Sequence, residues 1–468
     1  MRGDFTRDSF NPSKGYTRVL MQQGRMQLDA DWNEQTSILV SAIQAIMSDL
    51  IGLHAGPKDS CGFAIIPASD IATSGATAKE QAHLRDLLKD PGDFLIGPGT
   101  YYVDGIRAVN PDYTRYSHQS SLQRAKPLSS TNHPYHLIYL DIWENSFSAL
   151  QDSSIREVGL NGADTAVRAG VVWQVRGHEW DAGVTDADFD NVVKDWPSFT
   201  QQWQATNRGQ LKVRTSALSE SDSLEPTTIA PDSAYRGPQN QLYRVEVHHS
   251  GTTKEGATFK FSRENASVAF TIKSFADPIV TLSGLGRDSR SSLVSGDWVE
   301  ISDDDSIFQH ISHPLRQVES VDYQRNQVTL KDKGTSTIGT RPERHPVLTR
   351  WDQKAGDPKK GGLEIKEGAA LIREGGNIWL KLENGIEIQF QPSEPAQHYR
   401  AGDYWLVPAR TATGSVDWPQ KDGDPVALPP QGIEHHYAPL AIVKFDGNAI
   451  ALSRPFRLTF SCTTEVAG

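Results

Sequence analysis

The chain has 468 residues, of which 37% are hydrophobic and 22% charged, and its formal net charge is −11. This length predicts two to four domains, and because no basic block rises above the acidic background, a nucleic-acid partner is not expected. The 38 Gly and 26 Pro residues favour turn-rich β structure.

Residues 1–28 are predicted to form a polar, turn-rich arm that has no core of its own. Asn11-Pro12 and Lys14-Gly15 are turn signals within it. Gln22, Gln23 and Arg25 carry amide and guanidinium groups that can bond backbone edges and carboxylates of a partner. The alternative interpretation is that these side chains cap the protein's own β structure.

A helix is predicted to follow the arm. Asp31 and Glu34 have capping-box spacing, and Gly52 is a plausible end. Between them, side chains recur at spacings of 4, 3, 4, 3 and 4, the 3.5-residue period of a coiled-coil seam: Trp32, Thr36, Leu39, Ile43, Ile46 and Leu50. The seam either faces another subunit or packs against its own domain, and the sequence leaves both interpretations open.

The start of the chain shows no secretion signal. Met1-Arg2-Gly3-Asp4 leads into polar residues, without the apolar segment of a signal peptide, so synthesis in the cytoplasm is expected. No run of about 18 apolar residues predicts a membrane-spanning helix. Cys61 and Cys462 make neither a metal cluster nor a disulfide framework, and they are either two free thiols or one bridge.

The remaining sequence predicts a mainly β fold, in which the N-terminal arm and helix precede several small β-sandwich-like or barrel-like units with few helices. The predicted segments are an assembly element at 1–60, a mixed α+β or β domain at 61–180, an acidic polar insertion or linker at 181–239, a β domain at 240–350 and a second β domain at 351–468.

Individual β elements are predicted from alternation and turn signals. Residues 135–143 and 166–180 read as strands, residues 93–109 read as two strands around the Pro98-Gly99 turn, and Asn384-Gly385 is a strong hairpin signal. Trp298 and Trp405 lie in strands with apolar neighbours and are predicted to be core residues.

The sequence gives only weak signals for catalytic or metal-binding sites. Asp303-Asp304-Asp305 with His310 and His313 lacks the ligand alternation of a calcium loop and is interpreted as a solvated loop. In the pairs His248-His249 and His435-His436, neighbouring side chains of a strand point to opposite faces, so at most one of each pair is expected to be buried and bonded.

The familiar catalytic motifs are missing as well. Asp141, Glu144 and Glu157 do not stand out from the other acidic residues as glycosidase carboxylates, and no nucleophile elbow, P-loop, dinucleotide fingerprint or zinc-protease motif occurs. We therefore expect no enzymatic activity, no cofactor and no metal.

One stretch resembles a known family. Arg2–Gln35, which reads RGDFTRDSFNPSKGYTRVLMQQGRMQLDADWNEQ, is similar to the N-terminus of an uncharacterised protein family encoded in gene clusters for phage-tail-like contractile injection systems. Segments scattered along most of the chain share this likeness, among them residues 139–144, 155–176, 240–248, 257–268, 399–410 and 435–441. A looser version of the arm-and-helix pattern resembles the N-termini of some baseplate-attached and tail-fibre proteins.

The resemblance implies a particle. The leading hypothesis is a structural, non-enzymatic component of the baseplate or its periphery, attached through Gln22, Gln23, Arg25 and the helix seam to baseplate, tube or spike proteins. Three-fold or six-fold homo-oligomers are then expected, in a particle that is intracellular, membrane-docked or released. The alternatives are a receptor-binding or carbohydrate-binding module with exposed Trp and Tyr, a particle-borne cell-wall hydrolase, and a cap or terminator of the tail.

Overall fold

The computed structural model of the chain describes residues 1–123, 127–128, 134–180, 186–203, 208–216, 234–286, 288, 290–334 and 338–461. Within these residues the fold is mainly β, with several sheets and few helices, as the sequence predicted. The α-helices are α1 Asp29–Ile51, α2 Ala78–Leu87, α3 Asp186–Lys194, α4 Trp196–Thr200 and α5 Asp304–Phe308.

The strands of the described residues are numbered in chain order. They are β1 His54–Pro57, β2 Ile65–Ile66, β3 Leu95–Ile96, β4 Gly99–Val103, β5 Ile106–Asn110, β6 Thr114–Arg115, β7 His118–Gln119, β8 Leu122–Gln123, β9 Tyr135–Phe147, β10 Arg168–Trp180, β11 Leu211–Thr215, β12 Gln241–His249, β13 Thr258–Ser262, β14 Ala269–Ala276, β15 Ile279–Leu282, β16 Trp298–Ser302, β17 Arg316–Asp322, β18 Gln327–Leu330, β19 Val347–Trp351, β20 Ile365–Lys366, β21 Ala369–Leu371, β22 Leu380–Lys381, β23 Ile386–Phe390, β24 Tyr404–Arg410, β25 Ser415–Val416, β26 Gln420–Lys421, β27 Asp424–Pro425, β28 His436–Phe445, β29 Ile450–Pro455 and β30 Thr459–Phe460.

The first sandwich joins both ends of the chain. One sheet has the order β30-β1-β4-β5 and the other β10-β9-β28-β29. Alternate residues of β9 point into the core between the two sheets, among them Ile138, Leu140 and Ile142. The opposite face of β9 packs with Leu137 against Trp196 of α4, so this central strand is covered on both sides.

The second sandwich carries a barrel inside its own sequence. The sheet β11-β23-β22 packs on the six-stranded sheet β20-β21-β13-β12-β24-β25, and Trp405 lies fully buried between them. The closed barrel β14-β15-β18-β17-β16-β19 lies between β13 and β20 in the chain and has its own apolar core. The barrel is therefore an insertion between two strands that belong to one sheet.

The sheets cross the segment boundaries predicted from the sequence. Strands β28 to β30 lie in the predicted last segment, yet β28 pairs with β9 and β30 with β1. Strand β11 lies in the predicted insertion, yet it pairs along its whole length with β23. The five-segment division stays a prediction, and part of its linker, residues 217–233, lies outside the described residues.

Two turn predictions have different outcomes. Asn384 and Gly385 have φ values of 50° and 80° and join β22 to β23, which confirms the predicted hairpin. Strands β3 and β4 lie on either side of Pro98 as predicted, but they belong to different sheets, and β4 pairs instead with β5 through a turn formed by Asp104 and Gly105, whose φ values are 48° and 75°. A Gly at the second position of such a turn avoids the steric cost of a positive φ.

Candidate assembly surface

Helix α1 begins earlier than the sequence indicated. It starts at Asp29 with Leu28 as N-cap and no side-chain cap bond, so the predicted capping box at Asp31 and Glu34 does not form. Two acidic side chains of its first turns hold the arm instead. Asp29 accepts the Thr6 amide at 2.8 Å, and Glu34 accepts the Ser9 hydroxyl at 2.7 Å. The predicted end at Gly52 is confirmed.

The side of α1 that faces the protein carries little apolar surface. Ala30 and Ile38 are its buried residues. The helix rests on the β4–β5 turn so closely that a Cβ on Gly105 would lie 2.1 Å from the carbonyl oxygen of Gln44. This glycine is therefore needed both for its positive φ and for the close approach of α1.

The opposite side of α1 is apolar and exposed. Trp32 is 70% exposed and Leu50 76%, and the side chains of Leu39, Ile43 and Ile46 between them are also exposed. These are the seam residues that the sequence predicted, together with Thr36, which is exposed too. A helix that buries only Ala30 and Ile38 and exposes most of its large apolar residues reverses the usual arrangement of a surface helix.

The arm also carries exposed apolar side chains. Gln22, Gln23 and Arg25 are exposed, and the Val19 amide donates to Gln35 of α1 at 2.7 Å. Of the twenty exposed large hydrophobic side chains found in the described residues, twelve lie in residues 16–53. We call these twelve the α1–arm surface: Tyr16, Leu20, Met21, Met26, Leu28, Trp32, Leu39, Val40, Ile43, Ile46, Leu50 and Leu53.

The exposure of the tryptophans also distinguishes the α1–arm surface from the rest of the described residues. In the part of the chain that the structure describes, Trp32 is the one exposed tryptophan. Tryptophan is enriched among the residues that dominate binding energy at protein interfaces. A concentration of exposed apolar side chains of this kind is typical of an interaction site.

The first six residues behave differently from the rest of the arm. Arg2 forms an ion pair with Glu246 at 2.9 Å, Gly3 accepts a hydrogen bond from the Asn265 side chain at 2.9 Å, and Phe5 packs against the cluster that contains Tyr404. Residues 1–6 therefore have a fixed place on the β structure of their own chain. The exposed middle of the arm is a segment tethered at both ends.

Arg2 enters a buried ionic network between the six-stranded sheet and the barrel. Glu246 also contacts Arg244 at 2.5 Å and Lys260 at 3.3 Å, and Lys260 contacts Glu300 at 2.5 Å. Burial alone would raise the pKa values of Glu246 and Glu300, but the neighbouring cations outweigh it and hold both values below the usual range.

The network lines a large cleft. Its volume is about 1030 Å³, and its walls include Arg2, Glu246, Lys260 and Glu300, with Asn33 of α1 at the edge. Each of these four charged groups has an opposite charge within 3.3 Å. The arrangement joins the arm, the sheet and the barrel.

The strand pattern of the sequence does not reveal this network. Glu246 and Lys260 lie directly opposite each other on β12 and β13, on the face away from the apolar core. Alternation predicts such a polar face to be solvated, but the barrel and the first residues of the chain cover it. The signal for this network in the sequence was a set of three charged residues that share one face of two adjacent strands.

The acidic run Asp303-Asp304-Asp305 is not a solvated loop. Asp303 is buried and caps α5 by accepting the Ser306 amide at 3.0 Å. Arg341 contacts Asp303 at 3.0 Å and Asp305 at 2.7 Å, and His345 contacts Asp304 at 2.7 Å. In the described ranges no group of three or more possible metal ligands is arranged to hold an ion.

Both members of the pair His435-His436 are hydrogen-bonded, but only His435 is buried, which agrees with the expectation that at most one would be both buried and bonded. His435 bonds Asp141 at 2.6 Å through Nδ1 and His310 at 3.0 Å through Nε2, and His436 bonds Asp104 at 2.8 Å. Burial and the neighbouring His435 lower the pKa of His310 to about 3. The Asp141–His435–His310 chain therefore links β9 to the end of α5.

The other sequence candidates are dispersed. Glu144 and Glu157 are exposed, whereas Asp141 is buried. His248 is fully buried. Cys61 is a free, half-buried thiol, and Cys462 lies outside the described residues.

Comparison with protein-family models identifies the family of the chain. Residues 1–210 and 204–464 match the Family of unknown function (DUF6519). The chain belongs to this family. No curated protein and no solved structure matches the chain. Among the described residues of this DUF6519 member, no helix has the length and apolar character that crossing a membrane requires.

Proposed function

We propose that this DUF6519 chain is a structural, non-enzymatic component of a larger protein assembly, which it joins through the α1–arm surface. The observation that carries the proposal is the reversed helix: α1 presents its seam outward, and only Ala30 and Ile38 are buried. Exposure of so much apolar area costs solubility unless a partner covers it.

The identity of the assembly rests on the likeness of Arg2–Gln35 to proteins of contractile injection systems. In this proposal the chain lies in the baseplate or its periphery, with a cap or terminator position on the tail as the alternative. Its partners are then baseplate, tube or spike proteins, and Gln22, Gln23 and Arg25 bind beside the seam.

A carbohydrate-binding or receptor-binding module is the second candidate from the sequence. Sugar platforms need solvent-facing aromatic rings, and the tryptophans of the C-terminal β structure are buried or half-buried in the described residues: Trp298, Trp351, Trp379, Trp405 and Trp418. This burial favours assembly over sugar binding.

Ile43→Asp tests the proposal. We expect the free energy of unfolding of the variant to lie within about 0.5 kcal/mol of the wild-type value, because the side chain is 59% exposed. A charge at the centre of an interface costs about 2–4 kcal/mol, so recovery of the chain in its native assembly is expected to fall at least tenfold. The measurement is quantitative pull-down of the assembly from producing cells.

Ile311→Asp is the matched control, since Ile311 is 49% exposed and lies outside the α1–arm surface. It is expected to enter the assembly normally. The affinity tag belongs at the C-terminus, because the Arg2–Glu246 ion pair anchors the first residues. For the same reason, deletion of residues 1–52 is a poor test. An unfolded Ile43→Asp chain, or one that enters the assembly as well as the control, would overturn the proposal.

A further inference from the structure

We propose that the partner of α1 is α1 of a second copy of this chain. The inference rests on the proposed function and names the occupant of the same surface. It follows from the geometry of the seam, from the residues beside the seam, and from the opposite charges of the arm and the helix.

The seam fits another helix. Its exposed residues from Trp32 to Leu50 recur at spacings of 4, 3, 4, 3 and 4 over almost the full length of α1. Alternating spacings of 4 and 3 keep these side chains in one stripe along the helix, against which a neighbouring helix can pack over its whole length. An occupant of comparable length and helical conformation covers the whole stripe.

The side chains beside the seam are compatible with pairing between two copies of α1. They are Asn33, Gln35, Val40, Ala42, Met47 and Asp49. Charges at such positions normally select the partner and repel a like partner. Asp49 is the single charge in the set, so two copies of α1 can meet without a row of like charges.

The arm and the helix are complementary in charge. Lys14, Arg18 and Arg25 are the charged residues from 9 to 28, and all are basic, whereas every charged residue of α1 is acidic. Arg18 and Arg25 form no ion pair with any other described residue of their own chain. When two copies pair through α1, the basic arm of one can contact the acidic first turns of the other.

The stability of α1 also favours pairing with a second copy. Its 23 residues include many β-branched and small polar side chains, and two buried residues hold it to its own protein. Helices gain most of their stability from packing of an apolar face. In α1 the larger apolar face is the exposed one, so self-association supplies the missing packing.

Cysteine cross-linking tests the pairing. In a Cys61→Ser, Cys462→Ser background, Ile43→Cys and Leu50→Cys are oxidised mildly in the purified full chain, with Ile311→Cys as the exposed control outside the surface. A mixture of Trp32→Cys and Leu50→Cys chains covers antiparallel pairing. We expect a seam pair to give at least tenfold more covalent dimer than the control in either orientation, and Ile43→Asp to abolish the non-covalent dimer in sedimentation.

The outcomes separate this inference from the proposed function. A chain that stays monomeric at about 100 μM and gives no seam cross-link overturns the inference. If Ile43→Asp is nevertheless lost from the native assembly, α1 binds a different protein and the proposed function stands. If the seam cross-links but Ile43→Asp still enters the assembly, the pairing holds and the proposed function falls. Melting curves of each cysteine variant show that all are folded.

Discussion

Lys260→Met is expected to lower the free energy of unfolding by about 3–5 kcal/mol, because it leaves a buried carboxylate without its main counter-charge. Lys260 lies 2.5 Å from Glu300 and 4.4 Å from the centre of the Trp351 ring, and all three side chains are buried. Met fills a similar volume, so the loss is electrostatic. Calorimetric melting at pH 7 measures it.

Lys260→Met with Glu300→Gln is the matched control. The introduced glutamine keeps an acceptor for the Trp351 ring nitrogen, which donates to Glu300 at 3.0 Å in the native chain, and no unpaired charge remains at that position. Most of the lost stability is expected to return. A double variant that melts no higher than Lys260→Met would show that the loss came from packing.

The same network predicts a dependence on pH. The pKa values of Glu246 and Glu300 are held below their usual range in the folded chain, and the unfolded value is about 4.3. Their contribution to stability is therefore present above that value and is lost as pH falls through the folded values. In Lys260→Met, Glu300 takes up a proton more easily, so the deficit is expected to be smaller at pH 4 than at pH 7.

Trp405→Ala is expected to destabilise the second sandwich by about 3–5 kcal/mol. Trp405 is fully buried among Tyr243, Phe390 and other core residues, and its ring nitrogen donates to the Leu428 carbonyl at 2.9 Å. The substitution opens a cavity and removes one of two hydrogen bonds to that carbonyl, which also accepts the Leu211 amide at 3.0 Å. The change in melting temperature and in denaturant midpoint measures the loss.

Trp298→Ala is the comparison. The sequence predicted both tryptophans to be core residues, but Trp298 is half-buried at the end of the barrel and packs beside Trp351. A smaller loss of about 1–3 kcal/mol is expected. Equal losses for the two variants would contradict the assignment of Trp405 to the centre of the second sandwich.

Local features of the fold could be predicted from the sequence, because neighbouring residues determine them. The strand predicted at 135–143 lies within β9, and the one predicted at 166–180 corresponds to β10. The Asn384-Gly385 hairpin forms where Asn-Gly predicts a turn. The exposed seam of α1 was visible in its spacing, although spacing alone could not decide between an inward and an outward face.

The remaining architecture depends on pairing between distant residues. Nothing in the local sequence of residues 436–445 indicates that β28 adds to β9, about 300 residues earlier in the chain. The closure of the barrel and the covering of Glu246 by Arg2 also depend on contacts between residues that are distant in the chain. Patterns of hydrophobicity specify which face of a strand is buried, and they carry little information about what buries it.

The central claim is that the α1–arm surface is covered in the native assembly, and oxidative footprinting of Trp32 and Met26 tests it most directly. Trp32 is 70% exposed and Met26 87% in the single chain, so both are expected to oxidise readily in the purified chain. In the assembly purified through a C-terminal tag, we expect both to be protected at least fivefold, while exposed Tyr323 outside the surface reacts as before. Equal oxidation of Trp32 and Met26 in the free and assembled chain would contradict the account.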